Sequence, residues 1–174
     1  MKMRWSVLGA LLFALLPAGI AAAGGAGGVG FGTQFYDPAT PSNNLGMAYI
    51  TGFGYGVDEG GSRIGGFGMA LLSDPARSAG GVGGMLVGHE WRGGPVVFAF
   101  NLLGGVGGAS YGGGGYMLLF GQADLELGAA VLPWMQVVAY VGYQAWGNLI
   151  PGIPFVSAKL FTPVIGVRVS WGGL

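Results

Sequence analysis

The chain has 174 residues, enough for one domain, of which 52% are apolar and only 8% charged. A soluble domain carries about a quarter charged residues, so an ordinary water-facing surface is excluded, and 13% aromatics exclude a disordered chain. Formal net charge is zero with Lys and Arg scattered singly, which excludes a nucleic-acid patch, and the lack of cysteine excludes disulfides and thiolate chemistry.

Residues 1–23 read as a secretory signal. Lys2 and Arg4 give a positive start, 7–16 is an apolar run, and Pro17 and Gly19 break it before Ala21, Ala22 and Ala23. An uncleaved anchor helix is the alternative. Cleavage after Ala23 leaves residues 24–174, which is 174 − 23 = 151 residues, with no cysteine to carry a lipid anchor. In them seven acids meet five bases (Arg63, Arg77, Arg92, Lys159 and Arg168), a net charge of −2.

Beyond the signal, chain breakers recur at short, even intervals, the spacing of strands and hairpins rather than of helix pairs. Eight strands are expected, at 28–36, 46–58, 62–72, 80–91, 95–107, 116–131, 135–147 and 159–171. Each reaches the roughly 9–11 tilted residues that cross a bilayer. The joins at 37–44, 73–79, 110–115 and 148–158 are long, and those at 59–61, 92–94 and 132–134 are tight. Long joins on one rim and short ones on the other are the asymmetry of bacterial outer-membrane barrels.

Alternation tests this reading, because a strand with one face to lipid repeats every two residues. In the second segment Met47, Tyr49, Phe53, Tyr55 and Val57 oppose Ala48, Ile50, Gly52, Gly54 and Gly56. In the third and fourth, glycine sits on both faces and hides the period. In the fifth Val96, Phe98, Phe100, Leu102 and Val106 oppose Val97, Ala99, Asn101, Gly105 and Gly107. The sixth sets Leu119, Ala123, Leu125, Leu127 and Val131 against Gln122, Asp124, Glu126, Gly128 and Ala130. The seventh sets Met135, Val137, Ala139, Val141 and Tyr143 against Gln136, Val138, Tyr140, Gly142 and Gln144. In the last, Phe161, Pro163, Ile165, Val167, Val169 and Trp171 oppose Thr162, Val164, Gly166, Arg168 and Ser170.

A charge on the lipid face near the midplane costs up to about 2–4 kcal/mol. Asp124, Glu126 and Arg168 facing outward together would consume much of a domain's net stability of roughly 5–15 kcal/mol, so all three are expected inside. Glycine on the inner face fits a narrow wall that must curve around side chains. Trp91, Trp134 and Trp171 fall at the rim of short turns, while Trp146 and Tyr36, Tyr49, Tyr111, Tyr116 and Tyr143 lie towards the other rim, as two interfacial girdles would.

With this signal, this hairpin count and the closing strand VIGVRVSWGGL, the chain resembles the small eight-stranded outer-membrane barrels of the OmpA and OmpX type. The resemblance covers residues 28–174. It implies an all-β fold, an eight-stranded antiparallel up-and-down transmembrane β-barrel in the bacterial outer membrane. It also implies outer-membrane lipids as partners and insertion by the barrel-assembly machinery, which reads an aromatic residue at the chain end. Here Trp171 is followed by Gly172, Gly173 and Leu174, a departure from that signal.

Three constellations bear on chemistry. Gly108, Ser110 and Gly112 match the G-x-S-x-G pattern of a serine nucleophile elbow, which requires a strand-to-helix turn and a nearby His and acid. No helix is expected there, and the one histidine, His89, maps to the opposite rim, so the match is read as chance. His89 beside Glu90 could serve as an acid–base pair in a lipid-modifying enzyme, against the commoner role of a rim histidine. Asp124, Glu126 and Arg168, with Glu90 and Arg92, form an interior charge cluster that is either an ion-filtering constriction or a salt-bridge network that plugs the barrel. These five sum to −3 + 2 = −1, so a leak would favour cations.

No cofactor or metal site is expected. Ile50, Val97, Leu103, Leu118, Val138 and Trp146 map to the inner face, as a packed core or as a slot for a small apolar ligand. The leading functional reading is a non-enzymatic structural or scaffold barrel. A narrow conduit for ions or small apolar solutes comes second, and a lipid-modifying enzyme third. Two other architectures compete: a helical bundle built on 127–147, which glycine and the acids at 124 and 126 oppose, and a soluble periplasmic β-sandwich.

Overall fold

The computed structural model describes residues 25–34, 47–72, 78–111, 114–148 and 162–172. The expected signal segment 1–23, the expected joins 37–44 and 149–158, residues 73–77 and 112–113, and Tyr36 lie outside them.

Eight strands follow in chain order: β1 (Gly25–Gln34), β2 (Met47–Val57), β3 (Ser62–Leu71), β4 (Ser78–Gly93), β5 (Val96–Tyr111), β6 (Gly114–Leu132), β7 (Met135–Asn148) and β8 (Thr162–Gly172). Each pairs antiparallel with its neighbour in sequence, and β8 pairs with β1, so the sheet closes on itself. Closure satisfies the backbone hydrogen bonds of every strand, the condition for crossing hydrocarbon.

The apolar stretch that could have made a helix, 127–147, is the end of β6, a two-residue turn and most of β7. No helix among the described residues is long and apolar enough to cross a membrane.

Tight turns join the strands at one rim, and each has its own chemistry. Between β2 and β3 the Asp58 carboxylate accepts the Ser62 backbone N–H at 2.7 Å, and Gly61 turns the chain at φ +90°. Those hydrogen bonds hold the exposed Asp58 carboxyl below the usual carboxylate range. Between β4 and β5, Gly94 at φ +61° precedes Pro95, the glycine-first order of a type II′ hairpin turn. Between β6 and β7 the register slips between Ala130 and Leu132, a bulge that leads into Pro133 and Trp134. At the far rim the expected long join at 110–115 is not long. Ser110 pairs with Gly115 and Tyr111 with Gly114, because glycine continues the ladder where a loop was expected.

Paired residues followed once round the wall run Gln34, Val164, Gly142, Asp124, Asn101, Gly88, Arg63 and Val57. Val57 lies one register step beyond the Gly25–Gly56 pair, so the walk returns to β1 with an offset of 34 − 25 + 1 = 10 residues. Ten residues of about 3.3 Å set against eight strand spacings of about 4.8 Å incline the strands by about 40°. A barrel of this size has room inside for side chains and little else.

The outer wall is apolar. Phe98, Phe100, Leu102, Leu125, Leu127, Val141, Ile165 and Val167 are all exposed, as they would be against lipid. β2 reverses the expected arrangement: Tyr49, Thr51, Phe53 and Tyr55 are buried in the lumen, and Ile50 lies on the outer row. The aromatic row goes inside because its rings and hydroxyls have partners there, described below, while the glycine row costs nothing in lipid.

Candidate functional site in the barrel lumen

Three successive inward rows of the lattice build the lower lumen, on the side of the short turns. One row carries Arg63, Gly88, Asn101 and Asp124. The next carries Glu90, Ala99, Glu126, Tyr140, Gly166 and Gly32. The third carries Arg92, Val97, Gly128, Val138, Arg168 and Gly30. Long charged side chains thus alternate with residues of little or no side chain, and that spacing lets the charges fold across the lumen and meet.

Arg168 donates to both oxygens of Asp124, at 2.7 and 3.0 Å, and to Glu126. Glu126 also accepts from Arg63 at 2.6 Å. Arg63 in turn pairs with Glu90 at 2.7–2.8 Å and donates to Asn101 at 3.3 Å. Glu90 accepts from Arg92 at 2.5 Å. The result is one chain of alternating sign: Arg92, Glu90, Arg63, Glu126, Arg168, Asp124. Polar amides extend it, since Asn101 and Gln122 donate to Asp124, and Gln144 donates to Gln122.

Aromatic faces complete the lining. The Arg63 guanidinium lies 4.5 Å from the Tyr55 ring centroid, and that of Arg168 lies 4.1 Å from Tyr140 and 5.9 Å from Phe53. These contacts use the quadrupole of rings that lipid would leave idle, which accounts for the inverted β2. Tyr140 donates to Tyr49 at 2.9 Å, and Gln136 to Tyr55 at 3.0 Å. Gly32 and Gly166 make that tyrosine pair possible, because a methyl at either position would fall on the Tyr140 hydroxyl.

The network is dry. Arg63 is 1% exposed, Asp124 1%, Arg168 4% and Glu126 4%, values that a water-filled channel alongside them would not allow. Above it, towards the longer joins, the lumen is filled by apolar side chains. Phe67 packs on Phe120 at 5.5 Å between centroids, and Phe120 on Trp146 at 4.8 Å, with Met69, Leu103 and Leu118 in the same cluster. The Trp146 indole donates to Gln34 at 3.2 Å. Of the apolar residues expected on the inner face, Leu103, Leu118 and Trp146 lie in this packed core and Val97 and Val138 are buried lower in the lumen, whereas Ile50 is on the outer row.

The structure brings Asp124, Glu126, Arg168 and Glu90 together and holds Arg92 at the network's part-exposed end. The sequence reading missed Arg63. With it the six charged groups sum to 3 − 3 = 0, so the expected cation bias disappears. Its signal was available: placing Arg63 on the same face as Phe67 and Met69 follows from the desolvation argument applied to Arg168, but glycines at 65, 66 and 68 hid the alternation.

Trp91, Trp134 and Trp171 are exposed at the short-turn rim. At the other rim Tyr143 is exposed, whereas Tyr49 and Trp146 belong to the lumen, which corrects their expected place in a girdle. His89 and Glu90 point to opposite faces of β4: His89 lies beside Trp91 on the outer wall, and Glu90 binds Arg63 and Arg92 inside. An acid–base pair between them is therefore ruled out by the pleat. Ser110 lies within a strand that pairs with both neighbours, with a hairpin and then β6 after it, and not on a strand-to-helix elbow.

No family model matches the chain, and no curated protein matches it in sequence. Among solved structures, the chain is similar to the crystal structure of Neisserial surface protein A (NspA), with a TM-score of 0.65 and 11% identity over 86% of this chain and 97% of that one. At that identity the likeness establishes the fold: a closed eight-stranded antiparallel barrel of the small outer-membrane kind.

Proposed function

We propose that the protein is an integral barrel of the bacterial outer membrane with a structural, non-enzymatic role, closed to ions and solutes. The observation that carries this reading is the charge-neutral network of six ionic side chains, dry except at its part-exposed Arg92 end, that spans the lower lumen from β3 to β8. A conduit would need these groups solvated and the apolar plug above them displaced. An enzyme would need a convergent nucleophile or acid–base pair, and neither His89 with Glu90 nor Ser110 supplies one. The apolar outer wall supports hydrocarbon as the surrounding solvent.

Planar-bilayer recording tests the reading. The refolded protein is expected to leave the membrane silent, while an unboiled sample migrates differently from a heated one on a gel. Regular single-channel steps from wild-type protein, altered by replacing Arg168 or Asp124, would establish a conduit instead.

A further inference from the structure

His89 is the one His, Asp, Glu, Lys or Arg on the lipid-facing rows of the strands among the described residues. It sits on the outer face of β4, two residues before Trp91, at the rim of short turns, and its ring lies 4.5 Å from that of Trp91. Trp91 in turn lies 5.4 Å from Phe98 on β5, so the three rings form a ridge across the β4–β5 hairpin. Exposed tryptophans mark the headgroup level of a membrane, which puts the imidazole at the depth of lipid phosphates.

The cross-strand partners of His89 and its neighbours on the same face carry no charge. Ser62 is opposite on β3 and Phe100 on β5, and Trp91 and Val87 share its face of β4. The charged neighbours in sequence and register, Glu90 and Arg63, are turned into the lumen and bound to each other there. The β2–β3 turn carries Asp58 and Glu59, and Asp58 is engaged with the Ser62 N–H.

From this placement we propose that His89, backed by Trp91, is a contact for the phosphate of an anionic phospholipid in the periplasmic leaflet. The proposal rests on the membrane reading above. A cation beside an anionic lipid surface is worth roughly fivefold in association, while the apolar wall below Trp91 (Phe98, Phe100 and Leu102) would lie along the acyl chains.

The test uses the full barrel in vesicles of phosphatidylcholine containing spin-labelled phosphatidylglycerol or spin-labelled phosphatidylcholine, with the preference of the lipids next to the barrel read by electron spin resonance at pH 5.5. Wild-type protein should prefer phosphatidylglycerol several-fold. His89→Phe, which keeps a ring against Trp91, should show little preference, and His89→Lys should keep it. Equal preference in wild type and His89→Phe overturns the contact while leaving the membrane reading intact. A chain that enters neither kind of vesicle overturns the membrane reading and the contact with it.

Discussion

Arg168 offers the sharpest test of the lumen network. Replacing it by Met keeps an unbranched apolar stem of similar reach but removes three charge-assisted hydrogen bonds, two to Asp124 and one to Glu126, and the stacking on Tyr140. The losses fall unequally on the carboxylates. Glu126 keeps its bond from Arg63, whereas Asp124 retains only the neutral donors Asn101 and Gln122. Hydrogen bonds to charged groups contribute about 1.5–3 kcal/mol each, so their sum overstates the cost, because the retained partners compensate in part. Stranding one partner of a buried pair costs about 3–5 kcal/mol, and Arg168→Met is expected in that range. Adding Asp124→Asn removes the stranded charge, so the double variant should be less destabilised than the sum of the two single ones by about 0.5–3 kcal/mol. Urea unfolding in lipid vesicles, followed by tryptophan fluorescence, supplies all four corners of the cycle. Additive effects, or an Arg168→Met cost under about 1 kcal/mol, would mean that the network contributes little and that the closed lumen must be explained by its apolar half.

Three further outcomes are expected. Gly32→Ala pushes a methyl onto the Tyr140 hydroxyl and the Tyr49 ring and should cost about 1–3 kcal/mol of unfolding free energy, as overpacked cores do, with part recovered by Tyr140→Phe; no recovery would place the strain elsewhere. Leu102→Arg puts a charge on the exposed outer face of β5 and should lower stability in vesicles by up to about 2–4 kcal/mol, while a negligible loss would argue that this face does not meet hydrocarbon. Asp58 is held below the ordinary carboxylate range by its Ser62 hydrogen bonds. Its contribution is present above that range and is lost as pH falls through the lowered value, so the gap in urea midpoint between wild type and Asp58→Asn should be open at pH 7 and narrow towards pH 3. A gap that widens in acid would reverse that sign.

Much of the barrel could be read directly because four strands separate bulky apolar side chains from polar ones. In β8, Arg168 alternates with Val167 and Val169, and in β6 Asp124 and Glu126 alternate with leucines, so the cost of charge in lipid selects a single orientation. β2 has no charge. There the reading had only size to go on, and it sent Tyr49, Phe53 and Tyr55 towards lipid. What reverses them is the position of guanidinium groups from β3 and β8, which a single strand's pattern does not contain. The same holds beyond Tyr111: the glycine run 112–115 signals a loop, yet Gly115 and Gly114 pair with Ser110 and Tyr111 once β5 and β6 lie alongside each other.

Arg63 illustrates what links the strand-level and barrel-level descriptions. It is 61 residues from Asp124 in the chain (124 − 63 = 61), yet the register sets both on one row, separated by Gly88 and Asn101. A shift of one residue in any of those three pairings would turn one set of side chains to the other face and leave unpaired charge in the lumen or charge in lipid. The ion pairs of Glu126 with both Arg63 and Arg168 therefore act on the barrel as a check of register across β3 to β8. Each wrong alignment exposes at least one carboxylate or guanidinium to a medium that cannot solvate it. In a wall this rich in glycine, where side-chain packing alone specifies register weakly, a buried network that adds only modest net stability can still favour one alignment of the strands over its neighbours.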